Sequence, residues 1–183
     1  MLLLNLVAAL AALQSGAPQN GPRFPFESTR MIATVEMSGG RMHCRVTFQS
    51  EEIPPPDGDE CGFIATTGAP DSLRALGGDA TLSMVIAFDP QGAPPHREDR
   101  IDRGELIGES MASYSVTSDG NIADCRQTAN RVIRRMEGMR DPPDMCEFPL
   151  LQREPFAPAQ GAPRRGTISL RLYLRTGAGP ARP

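Results

Sequence analysis

The four cysteines, at positions 44, 61, 125 and 146 of a 183-residue chain, constrain the fold more than any other feature. Aromatic residues make up only 5% of the sequence and tryptophan is absent, so Leu, Ile, Val and Met must supply most of the core. Small secreted domains with little apolar surface commonly depend on disulfides, each of which contributes roughly 2–4 kcal/mol. In an exported chain, this even number of cysteines predicts two disulfides.

The N-terminal segment indicates export. Residues 1–13 are almost entirely apolar, a length typical of a signal peptide and short for a membrane span. Ser15 and Ala17 supply the small residues of a cleavage site, so we predict a signal peptide, or a short apolar segment, over 1–17. A buried helix is the alternative, although the glycines and prolines of 16–22 separate this run from the rest. The sequence thus predicts a periplasmic or exported protein, tethered to the inner membrane if the segment is retained.

Short strands dominate the first half, residues 24–90. Alternating or β-favouring residues predict strands at 31–37, 42–48 and 82–88. Ser38-Gly39-Gly40 predicts a hairpin turn between the first two strands, and the segment Glu51–Gly58, which contains three consecutive prolines, is predicted to cross over as a loop. Residues 71–76, which precede two glycines, predict a short helix.

A similar order of elements returns in residues 111–176, after a Pro/Gly-rich and charged linker predicted over 91–110. Three strands are predicted at 112–117, 122–128 and 168–174, with a turn at Ser118–Asn121. Residues 129–140 fit either a helix or a loop, and Asp141 followed by two prolines predicts a helix start. The last residues, 177–183, predict a flexible tail.

The two halves share the order strand, glycine turn, strand with a cysteine, crossover, second cysteine and strand. This order predicts an internal duplication, although coincidence among short strands is the alternative. The fold class predicted is α+β, with small antiparallel sheets and short helices in two related βαβ-type halves.

Three pairings of the four cysteines are possible. The pairing Cys44–Cys61 with Cys125–Cys146 is favoured because it alone treats the two halves alike. A zinc site is disfavoured, because the cysteines are not arranged as C-x-x-C pairs and neither histidine has a ligand spacing. His43 adjoins Cys44, but neighbours on a strand face opposite ways, so this pair does not indicate a thiol nucleophile. No cofactor or metal ligand is predicted.

Charge and motifs favour binding over catalysis. The net charge of −3 is small and the arginines are interspersed with acids, which argues against a nucleic-acid partner. The sequence contains no G-x-S-x-G, Walker loop, G-x-G-x-x-G or H-E-x-x-H motif. We therefore predict that the protein is not an enzyme, with a small secreted enzyme as the weaker alternative.

Residues 112–175 resemble a known family. The hairpin from Tyr114 contains Asp119-Gly120 and then Cys125; Cys146 and Phe156-Ala157-Pro158-Ala159 follow, and the strand Gly166–Leu174 ends the pattern. This ordered set resembles the cysteine-containing variant of the C-terminal domain of TonB-type energy transducers. A divergent copy of the same domain is predicted in residues 31–88.

The resemblance implies a small α+β periplasmic domain that recognises a protein partner, such as an outer-membrane receptor segment, and takes part in transmembrane transport. Recognition would occur by strand addition, in which the partner pairs with the final strand. The residues this would assign to partner binding are Thr167, Ile168, Ser169, Leu170, Arg171, Leu172, Tyr173 and Leu174.

The chain departs from a working transducer in two respects. Its apolar N-terminal run is short for a membrane span, and a long Pro/Lys/Glu-rich spacer is missing from the sequence. We therefore expect a binding or adaptor protein, and the alternative is a genuine transducer fragment with a misassigned start. If the two copies pair through their final strands, the predicted edge is already occupied.

Overall fold

A computed structural model describes residues 26–48, 51–53, 69–92, 104–147, 156–158, 160–161 and 163–177. Several predictions fall outside the described residues, namely the signal peptide over 1–17, the crossover at Pro54–Pro56, Cys61, and the tail beyond Gly177. Most of the predicted linker also falls outside them; only residues 91–92 and 104–110 of it are described.

Seven strands form one sheet in the described residues. Their bounds are β1 Thr29–Ser38, β2 Arg41–Phe48, β3 Glu51–Ile53, β4 Ala80–Pro90, β5 Glu105–Val116, β6 Ile122–Val132 and β7 Arg164–Thr176. The order across the sheet is β3-β2-β1-β4-β7-β5-β6, and every pair of neighbours is antiparallel. The described helices are α1 (Ala69–Leu76) and a 3-10 turn at Met145–Glu147. The protein therefore has a mainly β fold, and the predicted α+β class is wrong.

Two segments that the sequence did not assign to strands explain this correction. Residues 105–110, predicted as linker, form the first half of β5, and 129–132 continue β6. The first was predicted as part of a charged linker and the second as either helix or loop, but in the structure Glu109 lies opposite Arg131 and accepts a hydrogen bond from its guanidinium. Opposite charges facing each other across two strands stabilise the pairing, so the charged residues are compatible with a strand here. The prolines after Asp141 lead only to the 3-10 turn.

The predicted hairpin and short helix of the first half are confirmed, whereas Glu51–Ile53, predicted as the start of a crossover loop, forms β3. β1 and β2 form a hairpin in which Gly39 and Gly40 have positive φ angles of 56° and 76°, which a tight two-residue turn favours. The predicted helix is present as α1, and it ends where the N–H of Gly77 donates to the carbonyl of Arg74 at 3.2 Å.

One face of the sheet, here called the core face, carries most of the buried apolar side chains. Strand alternation places Ile168, Leu170, Leu172 and Leu174 of β7 on it, as predicted, and all four are buried. Leu73 of α1 and Met145 of the 3-10 turn pack into the same cluster. The opposite face, here called the polar face, includes the exposed side chains of Arg45 and Thr167.

The two halves meet at β4 and β7. These strands pair along their length, from Ala80 opposite Thr176 to Pro90 opposite Gly166, with Ile86 facing Leu170 midway. Reading outward from this junction, the first half has the order β4-β1-β2 and the second has β7-β5-β6. The halves are thus joined by backbone pairing into a single sheet.

The two strand cysteines occupy matching positions about this junction. Cys44 lies opposite Val35, which lies opposite Leu82 of β4, four residues before Ile86. Cys125 lies opposite Tyr114, which lies opposite Gly166 of β7, four residues before Leu170. An approximate two-fold axis between Ile86 and Leu170 relates the two cysteine positions.

Candidate functional site

The final strand is an interior strand. β7 pairs with β4 on one side and with β5 on the other, over the whole of Thr167–Leu174. The edge-strand prediction for these residues is therefore wrong, because their backbone N–H and C=O groups lie between two neighbours and a third strand has no room to pair. The residues concerned are Thr167, Ile168, Ser169, Leu170, Arg171, Leu172, Tyr173 and Leu174.

The long edge in the described part of the sheet is β6. This strand pairs only with β5, whereas the opposite edge is formed by the three-residue strand β3. The β5–β6 register shifts between Met111 and Ala112 and again between Ser115 and Val116, which leaves Asp124–Gln127 as a regular stretch between two irregularities. Bulges and charges are the devices that natural edges use against unselective pairing. Within the described sheet, β6 is therefore an edge that no further strand covers, and it carries both of these features.

A disulfide fixes this edge to the 3-10 turn. Cys125 of β6 is bonded to Cys146, with their Cα atoms 5.7 Å apart. This is one of the two disulfides that the sequence favoured. Cys44 is also disulfide-bonded, and Cys61, the partner predicted for it, lies outside the described residues.

A partly buried polar network supports the disulfide. The Gln127 amide donates to the Ser110 hydroxyl at 2.7 Å, and its oxygen accepts from the N–H of Met145 at 2.9 Å. Ser110, which is fully buried, donates to the carbonyl of Pro143 at 2.6 Å. The Asn130 amide donates to the carbonyl of Pro142 at 3.2 Å. These bonds hold residues 142–146 against β5 and β6, so the edge strand has a rigid backing.

Two parts of the family-like pattern meet at the other end of β6. Gly120, in the Asp119-Gly120 turn, has a φ angle of 92°, and a Cβ atom there would lie 2.0 Å from the Phe156 carbonyl oxygen. Glycine is therefore required both by the backbone angle and by the approach of Phe156. The Arg164 guanidinium donates to the carbonyl of Ala157 at 2.9 Å and lies over the ring of Phe26.

The aromatic side chains around this contact form a structural cluster. The Phe156 ring stacks on Tyr114 with centroids 5.7 Å apart and meets Phe26 edge-on at 5.2 Å. Burial raises the pKa of the Tyr114 phenol, the negative charge of Asp89 raises it further, and Arg164 opposes both. Tyr114 therefore stays protonated at physiological pH and packs as a neutral aromatic residue.

The C-terminal end of β6 borders a small apolar groove. We call it the loop groove; its apolar lining is Ile107, Val132, Met136, Met139, Pro142 and Leu172. Three exposed arginines, Arg134, Arg135 and Arg140, also line it. Its cavity volume of about 10 Å³ is close to the minimum for one water molecule. Val132 and the adjacent Ile133 are 39% and 52% exposed, which is unusual for large apolar side chains in the described residues.

The described residues place few metal-ligating or acid–base groups together. No cluster of three or more His, Cys, Asp or Glu side chains occurs among them. His43 is exposed on the polar face while Cys44 is buried on the core face, as strand alternation predicted. None of the helices in the described ranges is long and apolar enough to cross a bilayer.

Comparison with known proteins gives no relative from which a role for the β6 edge could be taken. No protein-family model matches the chain, and neither a curated protein nor a solved structure is significantly similar to it.

The sequence did not indicate that β6 is the long edge of the described sheet, because edge position depends on strand order. One feature of the sequence does point to an edge. The segment Arg126–Arg131 is mostly polar, whereas apolar and polar residues alternate regularly in β7. A strand with one neighbour and charged or polar side chains on both faces fits an edge better than a centre.

Proposed function

We propose that this protein is a periplasmic binding or adaptor protein, related to the TonB C-terminal domains and built by duplication, that receives a partner strand at β6. The observation that carries the proposal is the position of β6 as the long unpaired edge of the described sheet. The proposed partner is an extended segment of an envelope protein, such as an outer-membrane receptor, which connects the protein to TonB-dependent transport.

The arrangement of the halves supports duplication. Each half contributes a hairpin and a final strand, the final strands pair with each other, and the strand cysteines occupy matching positions about the junction. The approach of Phe156 to Gly120 gives a physical reason for two elements of the family-like pattern to occur together. In a duplicated domain that uses its final strands internally, recognition must move to another edge, and β6 offers one.

Rigidity of the edge favours binding by strand addition. A partner strand gains backbone hydrogen bonds along the edge and loses conformational entropy in the same step. The Cys125–Cys146 disulfide and the Gln127 hydrogen bonds order β6 before the partner arrives, so little further ordering is needed on this side. The regular stretch Asp124–Gln127 and the loop groove lie along the same edge and supply side-chain selectivity.

Substituting proline for Val132 tests the edge directly. The N–H of Ile133 donates to the carbonyl of Ile107 in β5, and N–H groups alternate sides along a strand, so the N–H of Val132 points away from β5. Proline is tolerated where the N–H faces outward, but it removes a donor that a partner needs. We expect Val132→Pro to fold and to bind a peptide from the periplasmic segment of an outer-membrane receptor about tenfold more weakly than wild type.

The matched control is Val132→Thr, which keeps the N–H and the β-branched shape and should bind within about twofold of wild type. In wild type, the bound peptide should slow amide hydrogen exchange within Ile122–Val132. Equal binding by Val132→Pro and wild type, or protection at a different strand, would contradict strand addition at β6.

A further inference from the structure

Asp124 and Arg126 carry opposite charges on the regular stretch of β6. Both side chains are exposed, and neither forms an ion pair with another described residue. The residues opposite them on β5 are the neutral Ser115 and Ser113. The Ser115 hydroxyl donates to a carboxylate oxygen of Asp124 at 3.0 Å, which orients this group and leaves its charge in place. The edge strand therefore presents one acid and one base to whatever strand lies beside it.

The two charges lie on the same face of the sheet. Ser113 pairs with Arg126 on one side and with the polar-face residue Thr167 on the other, so Arg126 lies on the polar face. Asp124 is two residues away, and strand alternation places it on the same face. A second copy of β6 that runs antiparallel presents these residues in reverse order. Asp124 of each copy can then face Arg126 of the other, in two pairs related by a two-fold axis.

The charges distinguish among the possible registers of such a pairing. Several two-fold registers can be centred within the regular stretch Asp124–Gln127. A centre at Asp124 or at Arg126 places like charges directly opposite each other, which is destabilising. The centre at the end of the stretch draws Thr128 into the ladder, although this residue lies at an irregularity and has no partner in β5. A centre at Cys125 opposes unlike charges twice, so it is the favoured register.

The wider edge has no net charge that would keep two copies apart. Residues 122–141 contain five arginines and three acids. Two of these arginines pair with Glu105 and Glu109 of the neighbouring strand β5, which brings the acids to five and the net charge of this edge to zero. Long-range repulsion between copies is therefore small, and the local charge pairs decide whether the edges fit.

We propose that β6 pairs with β6 of a second copy of this chain, antiparallel about Cys125, so that Asp124 of each copy forms an ion pair with Arg126 of the other. This goes beyond the proposed function, because it concerns what occupies the edge when no partner strand is bound.

The paired stretch is short, since the β5–β6 irregularities bound it at both ends. We therefore expect a weak dimer, with a Kd between about 10 µM and 1 mM. At low micromolar concentration β6 stays open to a partner strand, and at higher concentration the partner and the second copy compete for the same backbone groups.

Exchange of the two charges tests the pairing in the full-length oxidised protein. Sedimentation velocity over a range of concentrations gives the Kd of the dimer. Asp124→Arg and Arg126→Asp each place like charges opposite at both symmetric positions, so each should raise the Kd at least tenfold. The double variant Asp124→Arg/Arg126→Asp restores both attractions and should dimerise within about threefold of wild type.

A mixture of the two single variants tests the register itself. Asp124→Arg in one copy and Arg126→Asp in the other again oppose unlike charges at both positions. We expect the mixture to form heterodimers nearly as strongly as wild type dimerises, under conditions in which each variant alone is monomeric, and added salt should weaken both dimers. The matched control is Arg74→Ser, where Arg74 pairs with Asp71 on the exposed surface of α1; it should dimerise like wild type.

Several results would overturn the proposal. A wild-type protein that remains monomeric at high micromolar to millimolar concentration does not pair through β6. Single variants that dimerise like wild type show a dimer formed through another surface. A double variant and a mixture that both stay monomeric show that Asp124 and Arg126 do not face each other.

Hydrogen exchange separates failure of this proposal from failure of the proposed function. If wild type stays monomeric while a peptide from the periplasmic segment of an outer-membrane receptor protects Ile122–Val132, self-pairing is wrong and strand addition by a partner stands. If the charge exchanges behave as expected and no receptor peptide protects β6, self-pairing stands and the proposed function is wrong.

Discussion

Replacing Leu170 by alanine is expected to lower the free energy of unfolding by about 2–5 kcal/mol. Leu170 is 4% exposed and faces Ile86 at the middle of the β4–β7 junction, with Ser110 of β5 on its other side. Truncation removes buried apolar surface and leaves a cavity where the two halves meet. Urea denaturation followed by circular dichroism gives the change.

The control for Leu170→Ala is Thr167→Ala, an exposed position on the same strand, which should change stability by less than about 0.5 kcal/mol. Because the halves share one sheet, wild type and variant should each unfold in a single transition. Two separate transitions, with only the second half destabilised, would show that the β4–β7 junction does not couple the halves.

Removing the Cys125–Cys146 disulfide is expected to cost about 3 kcal/mol. The bond closes a loop across a sequence separation of 21, and the chain-entropy estimate for a loop of that length is about 3 kcal/mol. The Cys125→Ala/Cys146→Ala variant retains the disulfide of Cys44, so the measurement isolates one bond. Urea denaturation of the oxidised proteins gives the difference in stability.

The same variant should also loosen the backing of the edge. We expect amide exchange to accelerate in residues 142–147 and in β6, with a smaller change in β7. The matched control is Ala123→Ser, an exposed position on β6 outside the disulfide, which should leave both stability and exchange nearly unchanged. A loss below about 1 kcal/mol, with unchanged exchange in β6, would contradict the structural role assigned to this bond.

The alternation of side chains was predictable because it is a local property. Residues 168–174 show period-two alternation, and the structure buries Ile168, Leu170, Leu172 and Leu174 as expected. Gly39-Gly40 likewise marked its turn, because positive φ angles favour glycine at both positions. Strand alternation and tight turns can therefore be predicted from a few consecutive residues.

Strand order was not predictable in the same way, because it depends on contacts between distant segments. The pairing of Ile86 with Leu170 joins residues from different halves, and neither local sequence indicates it. The sequence analysis noted that the predicted edge would be occupied if the final strands of the two halves paired with each other. The β4–β7 junction is such a pairing. The fold class was wrong for a related reason, since residues 91–110 were predicted as a linker, and the ion pairs of Glu109 with Arg131 and of Glu105 with Arg134 join segments that are distant in sequence.

The candidate site was visible in the sequence only in part. The pairing Cys125–Cys146 was favoured from the matching halves, but nothing local showed that Gln127, Asn130 and Ser110 would hold the segment carrying Cys146. Side-chain hydrogen bonds of this kind depend on the register of β5 with β6 and therefore follow strand pairing.

Native-state hydrogen exchange of the oxidised protein without any partner tests the central claim, that β7 is interior and β6 is the accessible edge. Amides of Thr167–Leu174 should all be among the slowest in the molecule, because each lies between two paired strands. In Ile122–Val132, slow amides that point to β5 should alternate with fast ones that point to solvent. Uniformly slow exchange in β6 together with alternating fast amides in β7 would contradict the strand order and the function proposed from it.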